Sequence, residues 1–243
     1  MFKSILAIIL ALFISNSYAQ TADEVINKYV TAIGGMEKIN SINSAKITGK
    51  FSAGSMDITF TRLYKRPLKM RMDLQIQGMN MIQAFDGTTG WMLNPFQGSR
   101  EPEKMSEVET KAVKDNADLE GTIVNYKEKG ATVELIGKED MEGTEVYKIK
   151  LTNKDGDVTN YFFDATSYLL LKESSKRKMG EKEVAMDVFY GNYKATDGFL
   201  YPWSVDIKAP DSPMGGDQKA VIESMTLNVP TEDADYVMPE KNK

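Results

Sequence analysis

The sequence predicts a mainly β fold: one antiparallel sheet, strongly curved or closed into a barrel, preceded by a helix. Short segments in which apolar and polar residues alternate recur along the chain, which is typical of strands with one buried face. Turn signals such as Asp86-Gly87 and Asp197-Gly198 separate these segments at short intervals. The 243 residues suffice for one large β-domain, and neither an internal repeat nor an interdomain linker divides them.

The first twenty residues, MFKSILAIILALFISNSYAQ, have the pattern of a secretory signal peptide. A lysine precedes an apolar segment at 5–14, and Ser17 and Ala19 fit a cleavage site. The apolar segment is shorter than a membrane span. We therefore expect removal of residues 1–19 and a soluble, exported domain at 20–243. An uncleaved membrane anchor is the alternative.

Residues 21–33 have the pattern of an amphipathic helix. Thr21 and Glu24 fit a capping box, and Gly34-Gly35 ends the pattern. The apolar stripe consists of Ala22, Val25, Ile26, Tyr29, Val30 and Ile33. Because such a stripe needs an apolar partner, we expect this helix to pack on the sheet.

Two strands, at 45–51 and 57–64, should follow. In the second one Ile58 and Phe60 share one side, and Arg62 is a third candidate for that side. The next stretch, from Tyr64 to Gly98, contains the most regular alternation in the chain. One face of its first strand carries Met70, Met72, Leu74 and Ile76, and the other carries Arg71, Asp73, Gln75 and Gln77.

Gly78 can turn the chain, so residues 79–85 can return beside the first strand. Here periodicity does not decide which face is buried: Met79, Met81 and Phe85 have one parity, whereas Ile82 and Ala84 have the other. The apolar character continues in Trp91, Met92 and Phe96. Methionine suits surfaces that adapt to varied apolar ligands, but ordinary core packing explains the same residues.

Residues 103–119 interrupt the strands with a second amphipathic helix, whose apolar positions include Met105, Val108, Ala112 and Val113. We expect it to lie across the sheet or over its open side. Further strands are predicted at 132–137, 145–152, 159–163, 168–176, 183–193, 199–207 and 220–227.

The residue types present exclude several kinds of active site. Without cysteine or histidine the chain cannot form a disulfide, a Cys/His zinc site or a triad that needs an imidazole base. Carboxylates are plentiful, but no spacing singles out a catalytic pair, and a solvated surface explains them. The net charge of −5 gives no indication of a nucleic acid partner. We therefore expect no enzyme activity and no cofactor.

Four segments, taken together and in order, resemble the LolA/LolB-like superfamily of outer-membrane lipoprotein-sorting proteins. They are RPLKMRM at 66–72, DGTTGWMLNPFQG at 86–98, YFFDATSYLLLKES at 161–174 and DGFLYPW at 197–203. The resemblance implies a single incomplete antiparallel β-barrel, or half-barrel, of about eleven strands. It also implies that the N-terminal helix and a lid helix lie on the concave side, where acyl chains of lipoproteins bind during their passage through the periplasm.

On this basis nine residues are predicted to contact the ligand: Met70, Met72, Leu74, Ile76, Met81, Phe85, Trp91, Met92 and Phe96. Burial of each methylene group contributes about 0.8 kcal/mol, so an acyl chain needs a continuous dry groove. The main hypothesis is a monomeric periplasmic carrier of acylated lipoprotein or lipid, with transient contacts to inner- and outer-membrane sorting components. The alternatives are an envelope assembly factor with a fully packed barrel and a hydrolase that uses carboxylates.

Overall fold

The computed structural model describes residues 20–53, 56–98, 101–179, 182–210 and 217–240. The predicted signal peptide at 1–19 lies outside the described residues. Within the described ranges, thirteen strands form one sheet in which all neighbours are antiparallel. The open, curled sheet confirms the predicted half-barrel, with thirteen strands instead of about eleven.

The strands are β1 (Ser44–Ala53), β2 (Met56–Lys65), β3 (Lys69–Ile76), β4 (Met79–Phe85), β5 (Gly90–Leu93), β6 (Glu103–Lys104), β7 (Thr132–Met141), β8 (Thr144–Thr152), β9 (Val158–Asp164), β10 (Leu170–Met179), β11 (Lys182–Thr196), β12 (Phe199–Lys208) and β13 (Gln218–Leu227). The helices are α1 (Ala22–Ala32), α2 (Gly35–Asn40) and α3 (Glu107–Asp115), and short 3-10 turns occupy Pro95–Gln97 and Asp233–Asp235.

The sheet consists of two meanders that meet in its centre. The first runs from β1 outward to β6 at one edge, and the second begins with β7 at the opposite edge and returns to β13, which pairs with β1. The chain between β6 and β7 must therefore cross from one edge of the sheet to the other. This crossing segment, residues 105–131, carries α3, which contacts β3, β4 and β5.

The N-terminal helix α1 has the predicted caps and the predicted stripe. The side chains of Thr21 and Glu24 each accept a hydrogen bond from the other residue's backbone N–H, and the stripe from Val25 to Ile33 is buried. The ring of Tyr29 lies 5.1 Å from the ring of Phe163 on β9, measured between centroids. This helix therefore packs on the sheet as expected. We call the face that it covers the inner face.

The second helix is shorter than predicted. Residues 103–104 form the edge strand β6, which is too short to produce a periodic signal, and Ser106 caps α3 in a capping box with Glu109. Val113 is buried, but Val108 is 70% exposed, so the predicted apolar stripe is only partly correct.

Both faces of β4 are buried near its end, which explains why periodicity left its orientation open. On the inner face Phe85 belongs to the main core together with α1 and α2. On the outer face Ile82, Ala84 and Trp91 form a separate cluster with Leu93 and Met238. The C-terminal segment thus covers this part of the outer face. Across the described ranges, no helix is both long and apolar enough to cross a membrane.

Candidate ligand-binding surface

The register of β2, β3 and β4 places the methionines of the predicted groove on the inner face. Met70 pairs with Phe85 and Leu74 pairs with Met81 across the β3–β4 ladder. Residues directly opposite each other in an antiparallel pair share a face. The alternating positions of β3, from Met70 to Ile76, therefore face the interior of the half-barrel with their partners on β4.

Burial along the inner face falls steeply from one end to the other. Met70 and Phe85 are only 2% and 1% exposed. Further along the same strands, Leu74 and Met81 are partly exposed, and Met79 is 40% exposed. The inner face therefore has a filled end, around Met70 and Phe85, and an open end, towards Met79.

The crossing segment covers part of this surface through a close contact between α3 and β5. Gly90 pairs with Phe85, so its missing side chain would point to the inner face. A Cβ atom at Gly90 would lie 2.8 Å from Thr110 Oγ1 and 3.0 Å from Met105 Sδ. The absence of a side chain at Gly90 thus allows α3 to pack directly on the sheet.

An ion pair joins α3 to the other half of the sheet. Lys111 Nζ lies 2.7 Å from Asp157 Oδ2 and 3.3 Å from Asp155 Oδ2, in the turn between β8 and β9. These carboxylates raise the pKa of Lys111, with the hydrogen bond to Asp157 as the largest cause. Since α3 also contacts β5, the helix connects the two halves of the sheet across the open side.

The nine predicted residues fall into distinct environments. Five are partly exposed and share the inner face: Met72, Leu74, Ile76, Met81 and Met92. Met70 and Phe85 lie on the same face but within the packed core. Phe96 is exposed in the 3-10 turn that follows β5.

Trp91 requires a correction, because it pairs with Ala84 and so lies on the outer face, opposite the seven predicted residues of the inner face. Its indole Nε1 donates a hydrogen bond of 2.7 Å to the carbonyl oxygen of Tyr236. This contact anchors the C-terminal segment. The aromatic content of residues 91–96 favoured a common ligand surface, but the alternation of β5 divides it between two faces.

Sequence reasoning placed Arg62 beside the apolar residues of β2 but did not include it among the ligand-binding residues. Arg62 pairs with Met72 on β3 and with Ile47 on β1, both of which contribute to the main core. Its Nη1 donates a hydrogen bond of 3.0 Å to Tyr64 Oη, and its Nη2 lies 3.5 Å from Met72 Sδ. The signal in the sequence was a cation at a strand position where the alternation predicts an apolar residue, and this signal could have identified Arg62.

Two cavities lie away from the predicted residues. One, of about 380 Å³, is lined mainly by polar side chains that include Thr59, Asp73, Gln75 and Asn80. These alternate with inner-face residues, so this cavity belongs mainly to the outer face. The other, of about 20 Å³, adjoins the ion pair between Arg66 and Glu120. Among the described residues, no cluster of three or more acidic side chains could hold a metal ion.

Comparison with known proteins identifies the fold. The sequence matches neither a protein-family model nor a curated protein. Among solved structures, a LolA superfamily protein from Nitrosomonas europaea is similar, with a TM-score of 0.61 and 13% identity over 90% of this chain and 98% of that chain. A DUF1329 family protein from Desulfovibrio piger has a TM-score of 0.60 and 11% identity, with the same coverage of 90% and 98%.

A third solved structure, described as an outer membrane lipoprotein-sorting protein domain from Vibrio parahaemolyticus, has a TM-score of 0.56. It is 11% identical, over 88% of this chain and 94% of that chain. These three structures have the same open, curled antiparallel architecture over nearly their whole lengths. The likeness agrees with the resemblance that four sequence segments indicated. The chain therefore has the LolA/LolB-like fold.

Proposed function

We propose that this protein is a non-enzymatic carrier that binds acylated cargo, a lipoprotein or a lipid, on the inner face of its half-barrel. The observation that carries the proposal is the partial filling of an apolar face. Met72, Leu74, Ile76 and Met81 continue the core surface but remain partly exposed to solvent. An apolar surface in this position is suited to cover an acyl chain, because each buried methylene contributes about 0.8 kcal/mol.

The side chains at the open end suit a ligand of variable length. Methionine is unbranched and flexible, so Met72, Met79, Met81 and Met92 can repack around chains of different shape. The open end leaves room for the cargo to extend beyond the protein. A carrier must release its cargo, and an adaptable surface without a fixed hydrogen-bond pattern favours this.

We assign to α3 the role of a movable cover. It is less apolar than α1, and a single buried valine, Val113, anchors it among its own residues. Its link to the far half of the sheet is an exposed ion pair, and such pairs contribute little to stability. Displacement of α3 would extend the open end towards Met70 and Phe85.

The place of action follows from the same proposal. Residues 1–19 have the pattern of a signal peptide, and one structure with this fold is described as a lipoprotein-sorting domain. Both support action in the periplasm in outer-membrane sorting. We infer that the protein acts there as a monomer and makes transient contacts with inner- and outer-membrane components. This role needs no cofactor.

The direct test is to identify what the protein carries. The full-length chain is expressed in a bacterial host, purified without detergent, and extracted for mass spectrometry of bound lipids. We expect acylated molecules to copurify and a fluorescent fatty acid or an acylated peptide to bind after their removal. Failure to copurify any lipid and to take up either probe would favour the assembly factor with a packed barrel.

A further inference from the structure

An arginine on β2 lies among apolar side chains of the inner face. Arg62 is flanked by Ile47 on β1 and Met72 on β3, and its side chain is largely shielded from solvent. The neighbouring tyrosines, above all Tyr64, hold the pKa of Arg62 above its usual value. The side chain is therefore a permanent cation whose cross-strand neighbours, Ile47 and Met72, are apolar.

The guanidinium of Arg62 is incompletely satisfied. Its Nε lies buried, and no hydrogen-bond acceptor among the described residues reaches it. Nη2 faces the thioether of Met72, which is a weak acceptor, and Nη1 donates to the hydroxyl oxygen of Tyr64. Within the described ranges, no carboxylate forms an ion pair with Arg62. A largely shielded cation without a counter-charge is costly, and its usual partner is a carboxylate or phosphate.

The position of Arg62 matches the boundary between the filled and open ends of the inner face. The next cross-strand pair towards the filled end consists of Tyr64 and Met70, which are both buried. The next pair towards the open end consists of Phe60, which is still buried, and Leu74, which is partly exposed. A group bound at Arg62 would therefore sit at the inner limit of the surface available to an acyl chain.

Other polar groups of the interior define where an anion can bind. Burial raises the pKa of Tyr201, which lies near Arg62 and Tyr64, and that of Tyr190, which is hydrogen-bonded to Glu173 on β10. Both phenols thus stay neutral, and the hydroxyl of Tyr190 donates its hydrogen bond to Glu173. Because Glu173 would repel an anion, we expect an anion to bind beside Arg62 and not beside Glu173.

We propose that Arg62 binds the anionic head group, a carboxylate or a phosphate, of a lipid whose acyl chain extends along Leu74 and Met81 towards the open end. The inference rests on the proposed carrier function and specifies the class of cargo. A planar guanidinium can bind such an anion through two parallel hydrogen bonds, one of them from the unpaired Nε. A neutral acyl ester or alcohol would leave the cation without a counter-charge.

The experiment compares ligands with the same acyl chain and different head groups. The full-length protein, freed of endogenous lipid, is loaded with the neutral fluorescent probe N-phenylnaphthylamine. Palmitic acid, palmitoyl lysophosphatidic acid and palmityl alcohol are then used to displace it. We expect both anions to bind roughly tenfold or more tightly than the alcohol, which is the range of a charge-assisted hydrogen bond. A preference between the two anions distinguishes the carboxylate from the phosphate.

Variants locate the effect. Arg62→Gln should abolish the preference for anions while it leaves alcohol binding within about twofold, and Arg62→Lys should restore part of the preference. Lys46→Gln, which removes an exposed charge of the neighbouring strand β1, should change nothing. Circular dichroism melting of each variant verifies its fold.

Different failures have different meanings. If the wild-type protein binds the acid and the alcohol equally, the head-group proposal is overturned, but the carrier function stands. If an anion preference persists in a folded Arg62→Gln variant, Arg62 is not the site. If none of the three ligands displaces the probe, both proposals fail. Should Arg62→Gln not fold, the wild-type comparison still decides whether anions are preferred.

Discussion

Lys111 on α3 and Asp157 in the β8–β9 turn form an ion pair, with Nζ 2.7 Å from Oδ2, that spans the two halves of the sheet. The side chains of the two residues are 44% and 57% exposed. Water therefore screens their attraction, and the contact contributes little to the free energy of unfolding. Its consequence is local: it restrains the position of the helix that crosses the open side.

We predict that Lys111→Met releases α3 without unfolding the protein. The free energy of unfolding should change by less than about 1 kcal/mol, because the pair is exposed. Amide hydrogen exchange of residues 107–115 should become faster. In the wild type, about 0.5 M salt should have the same effect, because it shortens the electrostatic screening length to below roughly 10 Å. Lys114→Met, an exposed position on the same helix, serves as the control. Equal exchange rates in both variants would show that the pair does not restrain α3.

A second prediction concerns the two ends of the inner face. Met70→Glu should destabilise the fold by several kcal/mol, on the order of the cost of an unpaired buried charge, because Met70 is fully packed. Met81→Glu should leave the protein folded, since Met81 is partly exposed, but it should abolish binding of a fluorescent fatty acid. Urea unfolding and probe titration measure the two effects separately.

The contrast between these variants also separates the carrier from an assembly factor with a packed barrel. In a packed barrel both charges would unfold the protein to a similar degree. Gln75→Glu on the exposed, opposite face of β3 supplies the matched control, and it should alter neither stability nor binding.

The inner-face assignment of β3 could be predicted from the sequence because its alternation is strict and local. The same argument failed for β4, where the outer face is covered by residues far away in the chain: Trp91 and Tyr236 are 145 positions apart. No pattern within residues 79–85 reports that contact. The extent of the filled end was equally unpredictable, because it depends on where the crossing segment packs.

The first residue of α3 could have been predicted from the sequence. Ser106 and Glu109 have the spacing of a capping box, which marks Glu107 as the first helical residue. The prediction began the helix at residue 103 because charged residues 103–104 gave no strand signal. Arg62 could also have been identified from the sequence, since a cation on the apolar face of a strand needs a polar or charged partner.

A third prediction uses the pH dependence of stability. Asp233 lies between Lys65 and Lys69, at 2.7 Å and 2.9 Å from their Nζ atoms, and these contacts lower its pKa from 3.8 to about 2. A carboxyl whose pKa is depressed by folding stabilises the folded state above its unfolded pKa. This contribution is lost as the pH falls from about 4 to about 2. Asp233→Asn should therefore be less stable than the wild type at neutral pH, and the two should converge near pH 2.

Urea unfolding at a series of pH values measures this convergence. The difference should be small, since Asp233 is exposed, and it should shrink further in high salt. Asp197→Asn provides the control, because it removes an exposed turn carboxylate that makes no ion pair within the described ranges. A constant difference between Asp233→Asn and the wild type down to pH 2 would contradict the assignment.

The last prediction separates the two faces of β5. Trp91→Phe keeps an aromatic ring but removes the Nε1–H that donates to the carbonyl oxygen of Tyr236, a residue that is completely buried. The loss of this partner should cost about 1–3 kcal/mol. Residues 229–240 should become more sensitive to limited proteolysis, because Trp91 anchors them to the outer face.

Substitutions of the two neighbouring residues on β5 should differ in their effect on ligand binding. Trp91→Phe should leave uptake of a fluorescent fatty acid unchanged, because the indole points away from the inner face. Met92→Ala should weaken uptake with little effect on the C-terminal segment, since Met92 pairs with Gln83 on the inner face. The two residues are adjacent on β5, and their side chains point to opposite faces of the sheet. If Trp91→Phe weakened uptake as much as Met92→Ala, the ligand surface would have to include the outer face.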